Sequence, residues 1–463
     1  DLSLLYNGPD AMTGTRLNWA SVTDTDLLPS ILQLTNTTNI TVGGTLSLNV
    51  NNTVIGSGRF DITKTSGITL DDGDIQLTDA SELLIELSGV ELFVGADGPA
   101  TADDAVGFSV SNANVDIAIL SESSTATAPR TWVGLAAHIG EMAPVGLPDG
   151  VDIRINDLNV LYNSPDSSAD PKRLNWEALA DQDDDDFGLD DTRLSDLSDA
   201  IDFSIAGSMM ASLENYIYIS GAIAIERREL DAQTSAGGDS ALMSVLTFGA
   251  SNLRAFVGTG DADINDDGIV DDPDVLQENG IGVALTVDVL ALALLKPIDD
   301  PATVGIDEGM TTKSYFGLSA SGSAELIGVD DVALEGRLNV SINRGRDTSL
   351  ATPSDEPAIN FSASAMASAD FGDASGLKVA TGSGIDDFQI LDFDDETLDV
   401  SGYVSLSISE FVHASGNFAF QKPAGTQTVT LDGGNEVDDV SILKVGASDV
   451  NVFVGSGGPY FQD

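Results

Sequence analysis

The residues best suited to chemistry are the oxygen-bearing side chains of one stretch, Asp263–Asp274, which reads DINDDGIVDDPD. Its spacing fits the calcium-loop pattern D-x-[DN]-x-[DN]-G, because a loop that curls round an ion brings alternate oxygens to one point. In this interpretation Gly268 makes the sharp turn, Ile269 offers its backbone carbonyl, and Asp274 replaces the usual final glutamate. The predicted calcium ligands are Asp263, Asn265, Asp267, Ile269, Asp271 and Asp274.

The alternative for this loop is a solvated acidic turn that binds no ion. A second acidic run, Asp181–Asp191, has too many adjacent carboxylates for a defined cage, and we interpret it as a solvated loop that loosely collects cations. The stretch at the corresponding place in the preceding repeat, GADGPATADDAVG at 95–107, lacks the ligand spacing. Calcium binding is therefore expected in one repeat only.

The patterns of the common enzyme classes are absent from the sequence. The chain has two histidines, His138 and His413, and no HExxH, GxSxG, Walker A or GxGxxG sequence. A carboxylate pair such as Asp394 and Asp395 carries little weight for a glycosidase, since the chain has 75 acidic residues. We therefore predict that the protein is not an enzyme.

The net charge of −56 restricts the partners of the chain. Nucleic acid is excluded, because binding it requires Lys and Arg to displace counterions, and an anionic membrane surface is disfavoured for the same reason. Divalent cations would relieve the self-repulsion of such a chain. There are no cysteines, so disulfides cannot stabilise the fold. The longest apolar run, Ile281–Leu295, is too short to span a bilayer.

Four landmarks recur in the same order along the chain, which indicates a repeat protein. The first is LLYNGPD at Leu4–Asp10, matched by VLYNSPD at Val160–Asp166 and VSINRGR at Val340–Arg346. The second contains an aromatic residue each time. Its copies are Leu17–Trp19, Leu174–Trp176 and Ile359–Phe361. We interpret Trp19 and Trp176 as structural anchors rather than as a sugar-stacking surface.

The third landmark is a pair of glycines 14 residues apart within alternating apolar residues, and the fourth is Phe-Val-Gly. The pairs are Gly44/Gly58, Gly207/Gly221 and Gly402/Gly416, and the Phe-Val-Gly copies begin at Phe93, Phe256 and Phe453. These copies divide the chain into the back part of one unit at 1–95, whole units at 96–258 and 259–455, and the start of a fourth at 456–463. The chain is thus expected to be a piece of a longer polypeptide.

Alternation of apolar and small residues over Val400–Gln421 is typical of β-strands with one buried face. The helix candidates, Asp26–Leu34, Leu189–Ala200 and Asp272–Glu278, are short and lie in connections. In Ile281–Leu295 the apolar phase shifts near Val289, which indicates either a β-bulge or a strand buried on both faces; we favour the second.

The predicted fold class is all-β: an elongated, solenoid-like stack of tandem repeats, with a string of antiparallel β-sandwiches as the alternative.

Two resemblances accompany these patterns. The motifs FVGSGGPYF at Phe453–Phe461, LALALLKP at Leu290–Pro297 and VSGYVSLSI at Val400–Ile408 resemble the tandem units of giant bacterial cell-surface, adhesin-like proteins. Asp263–Asp274 resembles the dockerin-type calcium loop of secreted bacterial proteins, although the flanking helices of such loops are not evident. The resemblance implies an extracellular location, calcium as a cofactor, and a mechanical or adhesive role.

We therefore expect a structural segment of a very long extracellular or fibre-forming protein, stiffened by calcium. Its partners would be neighbouring repeats of the same chain, with lateral copies and surface glycans as further candidates. Two alternatives remain open. One is a carbohydrate-binding or carbohydrate-cleaving β-solenoid, which should show a groove lined with aromatics and convergent carboxylates. The other is an open β half-pipe for lipid transfer, which should show an exposed apolar channel.

Overall fold

The structure is a computed structural model of the 463-residue chain. It describes residues 1–22, 34–102, 104–123, 126, 128–148, 150–166, 168, 171–180, 188–189, 192–213, 216–237, 240–265, 267–298, 312–347, 354–362, 376–384, 386–409, 411–422 and 426–458. The predicted helix over Asp26–Leu34, except for its last residue, and most of the acidic run Asp181–Asp191 lie outside these residues.

The chain forms two compact units, Asp1–Leu147 with Arg154–Ile205 (unit 1) and Pro148–Ile153 with Ala206–Asp463 (unit 2). The elements up to residue 213 are β1 (Leu2–Tyr6), β2 (Thr38–Val50), β3 (Val54–Asp71), β4 (Gln76–Ala96), β5 (Val106–Ser121), β6 (Thr131–Val145), β7 (Val151–Ser164), α1 (Trp176–Ala180) and β8 (Ile201–Leu213). The remaining elements are β9 (Ile217–Ala232), β10 (Ala241–Gly260), α2 (Pro273–Asn279), β11 (Gly280–Pro297), β12 (Lys313–Ile327), β13 (Val332–Asp347), β14 (Ser354–Glu356), β15 (Leu377–Ala380), β16 (Phe388–Leu391), β17 (Thr397–Ile408), β18 (Val412–Lys422), β19 (Gln427–Thr430), β20 (Glu436–Val440) and β21 (Lys444–Val454).

Each unit is built on an antiparallel sheet in which strands pair largely in chain order. In unit 1, every strand from β1 to β7 pairs with the next. In unit 2, β9 to β13 pair in succession, and the sheet continues from β13 through β17 and β18 to β21. The all-β fold predicted from the sequence is confirmed, and the strand direction, which the sequence left open, is antiparallel.

One face of each sheet, which we call the covered face, carries a second layer. In unit 1 the layer comes from the segment after β7, whose Trp176, Leu179 and Leu194 are fully buried against β5 and β6. In unit 2 it comes from the segment after β13 and the β15–β16 hairpin, with Phe361 and Leu377 among its buried residues. Ala, Gly and other small residues of the strands let these layers approach closely.

An asparagine clamp joins the first two landmarks of the repeat. In unit 1, Asn163 Nδ2 donates to the carbonyls of Leu174 at 2.8 Å and Ser198 at 3.0 Å, while Trp176 Nε1 donates to Asn163 Oδ1 at 3.0 Å. Both Asn163 and Trp176 are fully buried. The interpretation of Trp176 as a structural anchor is therefore confirmed.

The same clamp occurs at the other two copies. Trp19 Nε1 donates to Asn7 Oδ1 at 3.2 Å, and Asn343 Nδ2 donates to the carbonyl of Ile359 at 2.7 Å. In the third copy the aromatic residue is Phe361, whose side chain has no N–H group, and Asn343 Oδ1 is left buried without a hydrogen-bond partner. The first two landmarks of the repeat thus form the same local structure in all three copies.

The Phe-Val-Gly landmark places an aromatic ring over glycines of neighbouring strands. A Cβ atom added at Gly258 would lie 2.8 Å from the ring of Phe256, and one added at Gly282, across the strand pair, would lie 3.0 Å from it. The same relation holds at Gly95, where the added atom would lie 2.9 Å from the ring of Phe93. Glycine is needed here because the ring occupies the space that a side chain would take.

Two predictions about local structure need correction. The strand containing Ile281–Leu295 has a β-bulge between Val287 and Val289 in its pairing with β12, and Ile281 and Leu285 on one face are exposed. The favoured interpretation, burial on both faces, is therefore wrong, and the bulge accounts for the shifted apolar phase. The predicted helix over Leu189–Ala200 is also wrong: the described part holds one 3-10 turn, Arg193–Asp196.

The third helix prediction, Asp272–Glu278, is confirmed by α2. The boundaries of the compact units differ from those of the sequence repeats, and the division at residues 95, 258 and 455 stays a prediction.

Candidate calcium loop and open apolar face

The predicted calcium loop lies between β10 and β11 and is held to the sheet by buried apolar residues. Ala262 and Val270, at its two ends, are buried with Phe256 of β10 and Leu276 of α2. α2 follows the loop directly, although a flanking helix was not evident from the sequence. The sheet and the helix therefore fix both ends of the loop.

Hydrogen bonds close the loop at its base. The N–H of Asp271 donates to the carbonyl of Ala262 at 2.8 Å, and the N–H of Val270 donates to Ser220 Oγ at 2.8 Å. Arg254 of β10 donates to the carbonyl of Val270 at 3.0 Å and forms an ion pair with Asp272 at 2.7 Å. The described residues of this stretch, 263–265 and 267–270, thus belong to a turn that is closed on the sheet.

Within this turn, the predicted ligands accept backbone hydrogen bonds. The two carboxylate oxygens of Asp263 accept from the N–H groups of Asp267 at 3.0 Å and Gly268 at 2.8 Å. Asp267 Oδ1 accepts from the N–H of Ile269 at 2.8 Å. Gly268 has φ +81°, so the sharp turn assigned to it is present. The chain therefore curls around the carboxylate of Asp263 as the pattern predicts.

The remaining predicted ligands lie on the same loop. Asn265 Nδ2 donates to Asp267 Oδ2 at 2.8 Å, Asp271 Oδ2 accepts from the N–H of Ile264 at 2.9 Å, and Asp274 lies in the first turn of α2. A carboxylate oxygen that accepts one N–H keeps a further lone pair, so this donor set suits a hard cation.

Among the described residues, which leave out Asp266, no group of three or more acidic, His or Cys side chains is placed to hold a metal ion. Calcium binding stays a prediction.

The face of the unit 2 sheet opposite the covered face carries apolar residues on all of its long strands, and we call it the open face. One row of directly paired residues crosses eight strands from β9 to β21 without a polar side chain. The row consists of Ile223, Ala250, Leu290, Ala320, Val340, Val400, Phe420 and Val445. Directly paired residues of an antiparallel sheet point to the same side, so these side chains form one surface.

Unit 1 has an open face of the same kind. A row of paired residues crosses its seven strands, β1 to β7, with the hydroxyl of a single tyrosine as its only polar group. The row consists of Leu4, Val42, Ile62, Ile85, Ile117, Leu135 and Tyr162. The apolar surface is therefore a property of the repeated sheet in both units.

Large side chains on the open face are accessible to solvent. In unit 2, Val283 is 40% exposed, Leu285 43%, Leu338 44% and Val404 42%. Eight strands about 4.8 Å apart, each with four or more apolar residues on this side, give a patch of roughly 1,000 Å². Monomeric soluble proteins rarely expose apolar patches beyond a few hundred Å², and larger ones mark interaction sites.

The other singled-out residues have structural roles. Asn343 Nδ2 donates to the backbone carbonyl of Asp395 at 2.9 Å. Asp395, from the Asp394/Asp395 pair, therefore takes part in the third asparagine clamp. His413 Nδ1 lies 3.1 Å from Ser407 Oγ, and its ring packs against Phe453. An exposed apolar surface was expected only under the half-pipe alternative, and its residues were not identified from the sequence.

No protein-family model matches this chain, and neither a curated protein nor a solved structure matches it significantly. None of the helices in the described residues has the length and apolar character needed to cross a bilayer.

Proposed function

We propose that this chain binds the acyl chains of lipids on the open face of its sheets, as an open β half-pipe for lipid would. The observation that carries the proposal is the row of eight apolar residues from Ile223 to Val445, on a face where large side chains such as Leu285 and Leu338 are exposed. Each methylene group that such a face removes from water contributes about 0.8 kcal/mol. A long acyl chain needs no specific hydrogen bonds there, which suits a row without polar side chains.

A second copy of the chain is a poor occupant of this face. Two copies would each bring a net charge of −56 into contact, and the repulsion would oppose face-to-face packing. An aliphatic chain carries no such cost. The large accessible side chains, Leu285 and Leu338 among them, offer it a surface that is already formed.

Analysis of the lipid that remains with the purified chain tests this proposal. Native mass spectrometry and organic extraction should both find bound lipid. The variant Leu285→Asp/Leu338→Asp should hold at least tenfold less, because two charges on the open face would be desolvated by the acyl chain. Fully delipidated protein should regain lipid when mixed with vesicles.

The matched control places the same charges on the other side of the sheet. Ser323→Asp/Asn339→Asp alters β12 and β13 at residues whose side chains point away from the open face. This variant should hold as much lipid as the unmodified chain. Lipid-free unmodified protein that takes up no lipid from vesicles would contradict the proposal.

A second candidate function is supported by the loop at Asp263–Asp274: a structural segment of a very long extracellular or fibre-forming surface protein, stiffened by calcium. The closed turn around Asp263 supports calcium binding, and the pairing of consecutive strands suits stacking against neighbouring repeats of the same chain. Lateral copies and surface glycans would be its partners. The two functions are compatible, since a surface scaffold can carry lipid on one face.

A further inference from the structure

A pocket of about 710 Å³ lies at one end of the open face of unit 2. It combines apolar side chains with three basic ones. Residues from β10 to β13 line it, including Leu246, Leu294, Phe316, Lys296, Arg344 and Arg346.

Strand pairing makes this pocket continuous with the open face. Leu246 pairs with Leu294, Leu294 with Phe316, and Phe316 with Arg344, so one row runs from apolar residues into a guanidinium group. In the next row outward, Ser244 pairs with Lys296 and Ser314 with Arg346. The basic groups thus stand at the edge of the apolar surface.

The three cations of this pocket have no acidic partner among the residues that the structure describes. Among the described residues, Lys296, Arg344 and Arg346 form no ion pair, and Arg344 Nε is buried without a hydrogen-bond partner. The chain has 75 acidic residues against 19 basic ones. Three unpaired cations in one pocket of such a chain therefore indicate a site for an anion.

The equivalent positions of the preceding repeat lack this charge. Aligning Leu120 with Leu295 and Asn163 with Asn343 puts Ser121, Ser164 and Asp166 where unit 2 has Lys296, Arg344 and Arg346. The fold therefore does not require the cations, since the equivalent strand pair is formed without them. We therefore attribute the three cations to a function of this pocket rather than to the stability of the sheet.

We propose that the pocket binds the anionic headgroup of a lipid-like amphiphile whose acyl chain lies along the open face of unit 2. This inference rests on the proposed function, because it names the class of lipid that the open face takes. Arg344 and Arg346 offer forked N–H donors that suit phosphate or carboxylate oxygens, and Lys296 adds a point charge. Phe316 and Leu294 begin the apolar surface for the chain.

Calorimetric titration with three probes tests the proposal on delipidated protein. The probes are dodecyl phosphate, dodecanol with the same chain and no charge, and inorganic phosphate, each below its aggregation concentration. Dodecyl phosphate should bind at least tenfold more tightly than dodecanol, and inorganic phosphate far more weakly than either. The variant Lys296→Ser/Arg344→Ser/Arg346→Ser should lose the preference for dodecyl phosphate and keep its affinity for dodecanol.

The control variant Arg59→Ser/Arg193→Ser/Arg337→Ser changes the net charge equally but alters cations away from the pocket, and it should retain the preference. A preference that survives in the pocket variant, or that both variants lose alike, would overturn the inference. So would inorganic phosphate binding as tightly as dodecyl phosphate. Equal binding of dodecyl phosphate and dodecanol would overturn it while leaving the proposed function standing, whereas binding of neither would remove both.

Discussion

At the scale of single residues, the asparagine clamps show why certain positions of the repeat are restricted. Asn163 satisfies two carbonyls and receives the indole N–H of Trp176, so no polar atom of its amide is left unpaired. Asn343 makes the same donations but faces Phe361, and its Oδ1 is unpaired. A buried acceptor without a partner costs about 1–3 kcal/mol. The third clamp is therefore expected to be the weaker one.

The missing hydrogen bond of the third clamp can be reproduced in unit 1 by mutation. Replacing Trp176 with Phe removes the N–H that Asn163 Oδ1 accepts, and we expect the free energy of unfolding of unit 1 to fall by about 2 kcal/mol. Urea titration followed by tryptophan fluorescence and circular dichroism measures this loss.

The control is Trp19→Phe, which removes the same bond at a half-buried residue where water can replace it. Its cost should be smaller. Equal stability of Trp176→Phe and the unmodified chain would show that the clamp contributes nothing measurable.

At the scale of elements, the bulge in β11 sets which side chains reach the covered face. Before the bulge, Ala284 is buried and Leu285 exposed; after it, Ala291, Ala293 and Leu295 are buried. The sequence revealed the phase shift at Val289 but not its cause. A β-bulge and a strand buried on both faces produce the same shift in the apolar pattern. Only the pairing with β12 distinguishes the two.

Deleting Asp288, which has no partner in β12, tests the role of this bulge. The residues after it would turn to the opposite face, and the buried Ala291, Ala293 and Leu295 would leave the covered face. We expect unit 2 to lose at least about 3 kcal/mol of unfolding free energy or to fail to fold. Asp288→Ala keeps the bulge and should cost less than about 1 kcal/mol in the same urea titration. A deletion no more costly than the substitution would contradict the assignment.

The calcium loop is a further element whose role can be measured. If free calcium exceeds the dissociation constant tenfold, binding would stabilise the folded chain by about 1.4 kcal/mol. Adding a chelator should therefore lower the melting temperature by a few degrees.

Asp263→Asn/Asp267→Asn should abolish this response, while Asp261→Asn, outside the predicted ligand set, should retain it. If the melting temperature of the unmodified chain is the same with and without chelator, the prediction that calcium stabilises the fold is wrong.

At the scale of the whole molecule, the period-two pattern was enough to predict an all-β chain of consecutive strands. It was not enough to predict which face is covered. We expected the apolar side of each strand to be buried, since burial is the usual fate of such residues. In both units the second layer instead packs on the side with small residues, such as Gly134 beneath Trp176 and Gly317 beneath Phe361. Where an inserted segment packs depends on contacts far apart in sequence, which alternation does not encode.

The basic pocket could not be predicted from the sequence either. Lys296, Arg344 and Arg346 are separated by up to 50 positions, and only the pairing of β10 to β13 brings them to one edge. The candidate calcium loop, by contrast, is local, and its turn at Gly268 follows the predicted pattern. The turn of a single loop can be predicted from spacing, whereas a pocket made across strands requires the register.

The most direct test of the open face uses two neighbouring residues that point to opposite sides of β13. The chain has no cysteine, so Leu338→Cys and Asn339→Cys can each be labelled at a single position with a polarity-sensitive fluorophore. Leu338 pairs with Gly402 on the open face, and Asn339 pairs with Ser401 on the other side. Adding a long-chain lipid should shift the emission of the label at residue 338 to the blue and leave that at residue 339 unchanged. An equal response at both positions, or none at residue 338, would contradict the claim that acyl chains lie on this face.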